Sequence, residues 1–151
     1  MEPMMSNPTD PFNLERFVQA QNPVYETVLR ELQAGQKRTH WMWFIFPQIA
    51  GLGRSDMAQR YAIRNLDEAK AYLEHGILGP RLTECTQTIL DLKGRLIPAI
   101  FASPDDLKFH SSMTLFAWVA APESVFVLAL RKYFAGKQDD KTMQRLDNLI
   151  P

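Results

Sequence analysis

At 151 residues the chain has the length of a single domain that can bury a core without disulfides or a metal to hold it, and its 46% hydrophobic content supplies that core. Seventeen Lys plus Arg balance seventeen Asp plus Glu, which argues against generic binding to nucleic acid or to an anionic membrane. The single cysteine, Cys85, excludes a disulfide framework, suits a reducing, cytoplasmic compartment and reads as a buried structural thiol.

The first ten residues are acidic and Pro-containing, with neither the basic start nor the apolar stretch of a secretory signal, and residues 1–12 read as a flexible tail. Asp10 or Asn13 can cap a first helix through Gln21, with Leu14, Phe17 and Val18 on its buried side. From Pro23 to Ala34, Val24, Tyr25, Val28, Leu29 and Leu32 recur at steps of three and four, and Gly35 stands where a left-handed terminator is wanted. Residues Thr39 to Phe46 are too uniformly apolar for periodicity to separate helix from strand; Thr39 as cap and Pro47 as stop favour a short buried helix.

A Gly-containing loop, Gln48 to Arg54, leads to a helix capped by Ser55, and Asn65 caps the next, which ends near His75 and Gly76. Pro80 opens a helix whose stripe is Leu82, Cys85, Ile89 and Leu92, closed by Gly94. Leu96 to Phe101 reads as a helical turn, and Ser103, Pro104 and Asp105 announce a helix reaching about Val119. Pro122 and Glu123 open another before Gly136, and a last one follows Asp139 or Asp140. No strand-length alternation competes with this pattern. The expected fold is all-α: a compact multihelical single domain over residues 13–151, built of seven to eight short helices.

Two segments carry unusual chemistry. In the first, Arg38, His40, Trp41, Trp43, Gln48, Gly53, Arg54 and Ser55 mix rings with basic and amide groups, as suits a pocket where indoles stack on a planar ligand while polar groups hold its edge. His40 is the candidate acid or base of this segment; a structural histidine beside two core tryptophans is the plain alternative. Gly51 to Ser55 can offer N–H groups to an anion, although a turn with a serine cap explains it equally, and the full phosphate-loop spacing is missing. In the second segment, Asp105, Lys108 and Ser112 share one helix face, either as an ion pair beside a hydroxyl or as a lysine-activated nucleophile, with Ser111 adjacent. His40, His75, His110 and Cys85 have no metal-site spacing, so neither metal nor cofactor is expected.

The strings Arg16 to Gln21, His40 to Gln48, Gly51 to Ser55, Leu78 to Leu82 and Ser111 to Phe116, with Asp106 to Lys108, resemble the uncharacterised family called domain of unknown function 1810. The resemblance spans about Leu14 to Leu146. It implies a mainly helical single domain and supplies no established reaction. Some members carry the label calpastatin, which this chain's composition does not fit, because it lacks that inhibitor's polar, repetitive, disorder-prone character. The family strings also include Tyr61, so the resemblance implies a shared cleft in which the aromatic segment faces the Lys108 helix. The expected ligand is a phosphate-bearing nucleotide metabolite such as an ADP-ribose derivative, with His40, Lys108 and Ser112 as catalytic candidates. The rival expectation is a non-catalytic ligand- or protein-binding module using the Trp-rich segment. A monomer and a weak dimer are equally compatible with the stripes.

Overall fold

The computed structural model describes residues 9–149, so most of the expected tail, residues 1–8, lies outside the described residues. Ten helices follow one another: α1 (Glu15–Gln21), α2 (Tyr25–Gln33), α3 (Met42–Ile45), α4 (Asp56–Arg60), α5 (Leu66–Glu74), α6 (Leu78–Leu90), α7 (Ile97–Ile100), α8 (Asp105–Val119), α9 (Val125–Phe134) and α10 (Asp140–Leu149). Three of these, α3, α4 and α7, are little more than single turns. The fold is all-α, and an isolated parallel bridge joins Ile49 to Ile63. No described helix is long and apolar enough to cross a membrane.

Side-chain caps account for half of the helix starts. Ser55, Asn65 and Ser124 accept a backbone N–H three residues on, satisfying a donor that the first helical turn leaves open. Asp139 does the same for α10, its Oδ2 taking both the N–H and the hydroxyl of Thr142 at 2.9 and 2.6 Å. At the front of α1 the cap comes from farther away, since the Asp10 carboxylate accepts from the N–H groups of Leu14 and Glu15.

The expected cap at Thr39 is not formed. Thr39 gives its N–H and hydroxyl to Glu31 instead, so helix α3 begins only at Met42 and is one turn long. The buried carboxylate gathers every nearby donor, because an unpaired carboxylate in that position would be costly. Helices α2 and α6 begin at Tyr25 and Leu78, two residues after and two before the prolines expected to open them.

Helix α8 is the centre of the molecule, with α5, α7, α9 and α10 packed around it. From Phe109 to Phe116 all of its residues except His110 are buried, so it has no polar face to show. Helix α6 packs on α2, α5 and α9 and contributes Leu82, Cys85 and Ile89 of the expected stripe, whose fourth member, Leu92, lies beyond the end of the helix and is only partly buried. Burial pushes the Cys85 thiol up to about 12. Between α8 and the chain before it lies an aromatic cluster of Trp41, Phe46, Phe101 and Phe109, with ring centroids 5.1 to 6.3 Å apart and mostly edge-to-face. Gly79 lets the start of α6 lie against the end of α5, where a Cβ would run into the Leu73 carbonyl.

Candidate functional site

Two buried carboxylates, Glu68 in ion pairs and Glu31 in hydrogen bonds, form knots that hold the walls of a cavity beside α8. In the first, Arg16 of α1 donates to the carbonyls of Arg60 and Ala62 and to Glu68 Oε2, at 2.8 to 2.9 Å. Glu68 is fully buried, and its Oε1 also accepts the backbone N–H of Arg64 at 3.0 Å. The segment from Arg60 to Arg64 is thus fastened from behind. Its Ile63 then takes the N–H of Ala50 on its carbonyl and donates its own N–H to the Gln48 carbonyl, each at 2.8 Å, which fixes the backbone of Gln48.

The second knot is Glu31, 8% exposed, whose carboxylate accepts four hydrogen bonds. Oε1 takes the N–H groups of Arg38 and Thr39 and the indole N–H of Trp41 at 2.8, 3.1 and 2.9 Å, and Oε2 takes the Thr39 hydroxyl at 2.7 Å. Burial pushes this carboxyl up, but the bonds from Arg38, Thr39 and Trp41 together outweigh burial and hold it below its ordinary value. Trp41 is 1% exposed and belongs to the core. Two residues on, Trp43 emerges only partly buried.

Trp43 meets helix α8 at Lys108, whose ammonium lies 4.9 Å from the indole centroid. Lys108 is also 3.8 Å from Asp105, but Asp105 is more closely held by Lys37 at 2.8 Å, which leaves the Lys108 charge incompletely neutralised. Trp43 and Lys108 border a cavity of about 150 Å³, walled also by Met42, Phe46, Gln48 and Tyr61 and closed by Gly53 and Ala62. The Gln48 side-chain amide makes no hydrogen bond with any described residue.

The cavity opens into a groove of roughly 1100 Å³ between the Gly53–Ser55 loop, α8 and the start of α10; Gln48, Gly53, Ala58 and Lys108 line both. Arg54, Lys137 and Lys141 line this groove and have no ion pair among the described residues. Asp139 and Asp140 line it too, the former engaged by Thr142. Ser111 Oγ lies 2.7 Å from Thr142 Oγ1. The single Thr142 hydroxyl proton points to Asp139, so Ser111 must be the donor in this pair, and the chain runs Ser111 to Thr142 to Asp139. His110 Nε2 donates to the Lys137 carbonyl at 2.7 Å while its ring stacks on Phe134 at 3.9 Å.

Of the residues singled out in the sequence, the structure therefore brings Trp43, Gln48, Gly53, Tyr61 and Lys108 to the cavity and Arg54, Ser55 and Ser111 to the groove. Arg38, His40, Trp41 and Ser112 line neither. Arg38 and His40 are exposed, the Arg38 guanidinium reaching Gln36. Ser112 is fully buried and its hydroxyl has no hydrogen-bond partner among the described residues. The three catalytic candidates, His40, Lys108 and Ser112, do not converge on one hollow. Ser55 acts as the cap of α4, its Oγ 3.1 Å from the Ala58 N–H. Gly53 allows the loop to lie on α4, since a Cβ there would strike that of Ala58. Sequence reasoning missed Arg64, Gln59 and Ala58 in the cavity wall and Lys137 and Asp139 in the groove. Arg64 follows directly on a one-residue bridge that leaves no alternation to read, and Ala58 and Gln59 lie on the single-turn helix α4.

A small all-α domain whose partly enclosed apolar cavity opens into a groove rich in basic residues is the class of protein that fold and site define. The chain belongs to the DUF1810 family, whose model, described as a protein of unknown function, matches residues 11–146. It is similar to the crystal structure of the conserved hypothetical protein Rv1873 from Mycobacterium tuberculosis, with 55% identity, a TM-score of 0.90 and coverage of 91% of this chain and 99% of that one. No curated protein matches it.

Proposed function

We propose that this protein binds a small planar metabolite carrying phosphate, of the nucleotide class that includes ADP-ribose derivatives, in a reducing, cytoplasmic compartment. The observation that carries the reading is the Trp43 and Lys108 pair at the junction of the two hollows, a ring and an incompletely neutralised ammonium 4.9 Å apart. A ring can stack on the indole at this junction while a phosphate takes the ammonium and reaches toward Arg54 in the groove.

Turnover at a glycosidic or phosphate ester bond, the catalytic form of the same reading, needs a titratable group at the ligand. Among the groove residues His110 supplies one, whereas His40 lies elsewhere. The test is a thermal-shift screen against nucleotides and ADP-ribose derivatives, followed by calorimetry on Lys108→Met. Ligand at about 100 times its dissociation constant adds roughly 2.7 kcal/mol to stability. Loss of the ammonium should weaken a hit by at least about tenfold, as for a charged hydrogen bond. No shift across the panel, or an unchanged affinity in Lys108→Met, overturns the reading; product formation decides between enzyme and binder.

A further inference from the structure

The two hollows differ in size and in the charges around them, and both differences bear on what part of a ligand each can hold. The inner cavity measures about 150 Å³ and its side walls are the apolar chains Met42, Trp43, Phe46 and Tyr61. A hole of about this volume with apolar walls accommodates one benzene-sized ring. Two fused rings require the walls to move, and these walls resist: Met42, Phe46 and Tyr61 are buried, and Tyr61 packs on Phe17 and Phe44 with centroids 5.7 and 5.4 Å away.

Polarity narrows the ring further. The free Gln48 amide, anchored through its backbone to Ile63, presents a donor and an acceptor side by side, the complement of a ring edge that carries both. The charged residues in the cavity wall are Arg64 and Lys108, with no carboxylate among them. Arg64 is paired with the buried Glu68, its Nε 3.4 Å from Oε1, so the incompletely neutralised Lys108 ammonium is the charge that disfavours a positively charged ring such as a pyridinium. The groove beyond, where Arg54, Lys137 and Lys141 have no ion pair among the described residues and with Lys108 outnumber Asp139 and Asp140, is suited to phosphates.

Resting on the binding function proposed above, we infer that the inner cavity is a subsite for a single neutral six-membered heteroaromatic ring, a pyrimidine, whose ribose phosphate extends into the groove. A purine base has to remain outside in the groove.

Isothermal calorimetry on the full chain with UMP, AMP, nicotinamide mononucleotide and ribose 5-phosphate tests this. UMP is expected to bind at least about tenfold more tightly than each of the other three, the order of effect that stacking one base contributes. Ala62→Leu, which fills the cavity from a position that does not line the groove, should bring UMP down to the affinity of ribose 5-phosphate. AMP or ribose 5-phosphate binding as tightly as UMP overturns the ring subsite and leaves the anion-binding reading standing. Nicotinamide mononucleotide binding more tightly than UMP overturns the assignment of a neutral ring. Binding of none of the four overturns both the subsite and the function on which it rests.

Discussion

Replacing Glu31 by Gln keeps the shape of the knot behind Trp41 and removes its charge. The amide oxygen can still accept from Arg38 N, Thr39 N and Trp41 Nε1, and the amide nitrogen, standing in for Oε2, meets a Thr39 hydroxyl that can turn to accept. Each of the three N–H bonds falls from charge-assisted to neutral, a loss of about 1 kcal/mol apiece, offset in part because a charge no longer has to be buried. The net cost is about 2 kcal/mol, or roughly 4–8 °C in Tm for a domain of this size. Glu31→Ala leaves the three N–H donors without their acceptor and should cost more, about 4 kcal/mol. The folded-state carboxyl titrates below its ordinary value of 4.5. Its stabilisation is therefore complete above that pH and fades as pH falls through the folded-state value. Urea titrations of wild type and Glu31→Gln from pH 7 to pH 3 measure this directly. A stability difference that stays constant over the whole range, or that is absent at pH 7, refutes the reasoning.

Three further outcomes follow from particular contacts. Gly79→Ala sets a methyl against the Leu73 carbonyl and should cost roughly 3 kcal/mol, seen by circular dichroism as a Tm lower by about 10 °C; an unchanged Tm contradicts the close packing of α5 on α6. Ser112→Ala removes a buried hydroxyl that has no partner among the described residues and should raise stability by about 1 kcal/mol in chemical denaturation, whereas a loss of similar size means that the hydroxyl is satisfied in solution. With its thiol pushed up to about 12, Cys85 holds only about one thiolate in ten thousand at pH 8. Native protein should then react with a thiol-specific disulfide reagent at least about a hundredfold more slowly than protein in denaturant; equally fast labelling shows that the thiol is open.

Much of the helical framework was legible because its signals are local. Ser55 and Asn65 announce their helices by chemistry that acts over three residues, and the apolar spacing of α6 states its buried face without reference to any other element. Helix α8 was legible only at its ends. Its middle is buried nearly all round and carries no stripe, so nothing in the spacing told that Ser112 faces a closed interior while Ser111 reaches the groove. Thr39 looks like a cap until a carboxylate eight residues back claims it.

The candidate site was legible as a set of residue types and not as a place. Trp41 and Trp43 are two positions apart in the same aromatic run, and composition treats them alike. The chain by itself determined an all-α domain, most of its helix starts and the pool of rings and cations from which a site can be drawn, because propensity, capping and periodicity act within a few residues. Tertiary structure decided that Glu31 seals one indole in the core while Lys108, sixty-five residues after Trp43, meets the other. That meeting brings Lys108 of α8 to Trp43 of α3, as Arg16 fastens the Arg60–Arg64 segment, through contacts between groups far apart in sequence that no local pattern encodes.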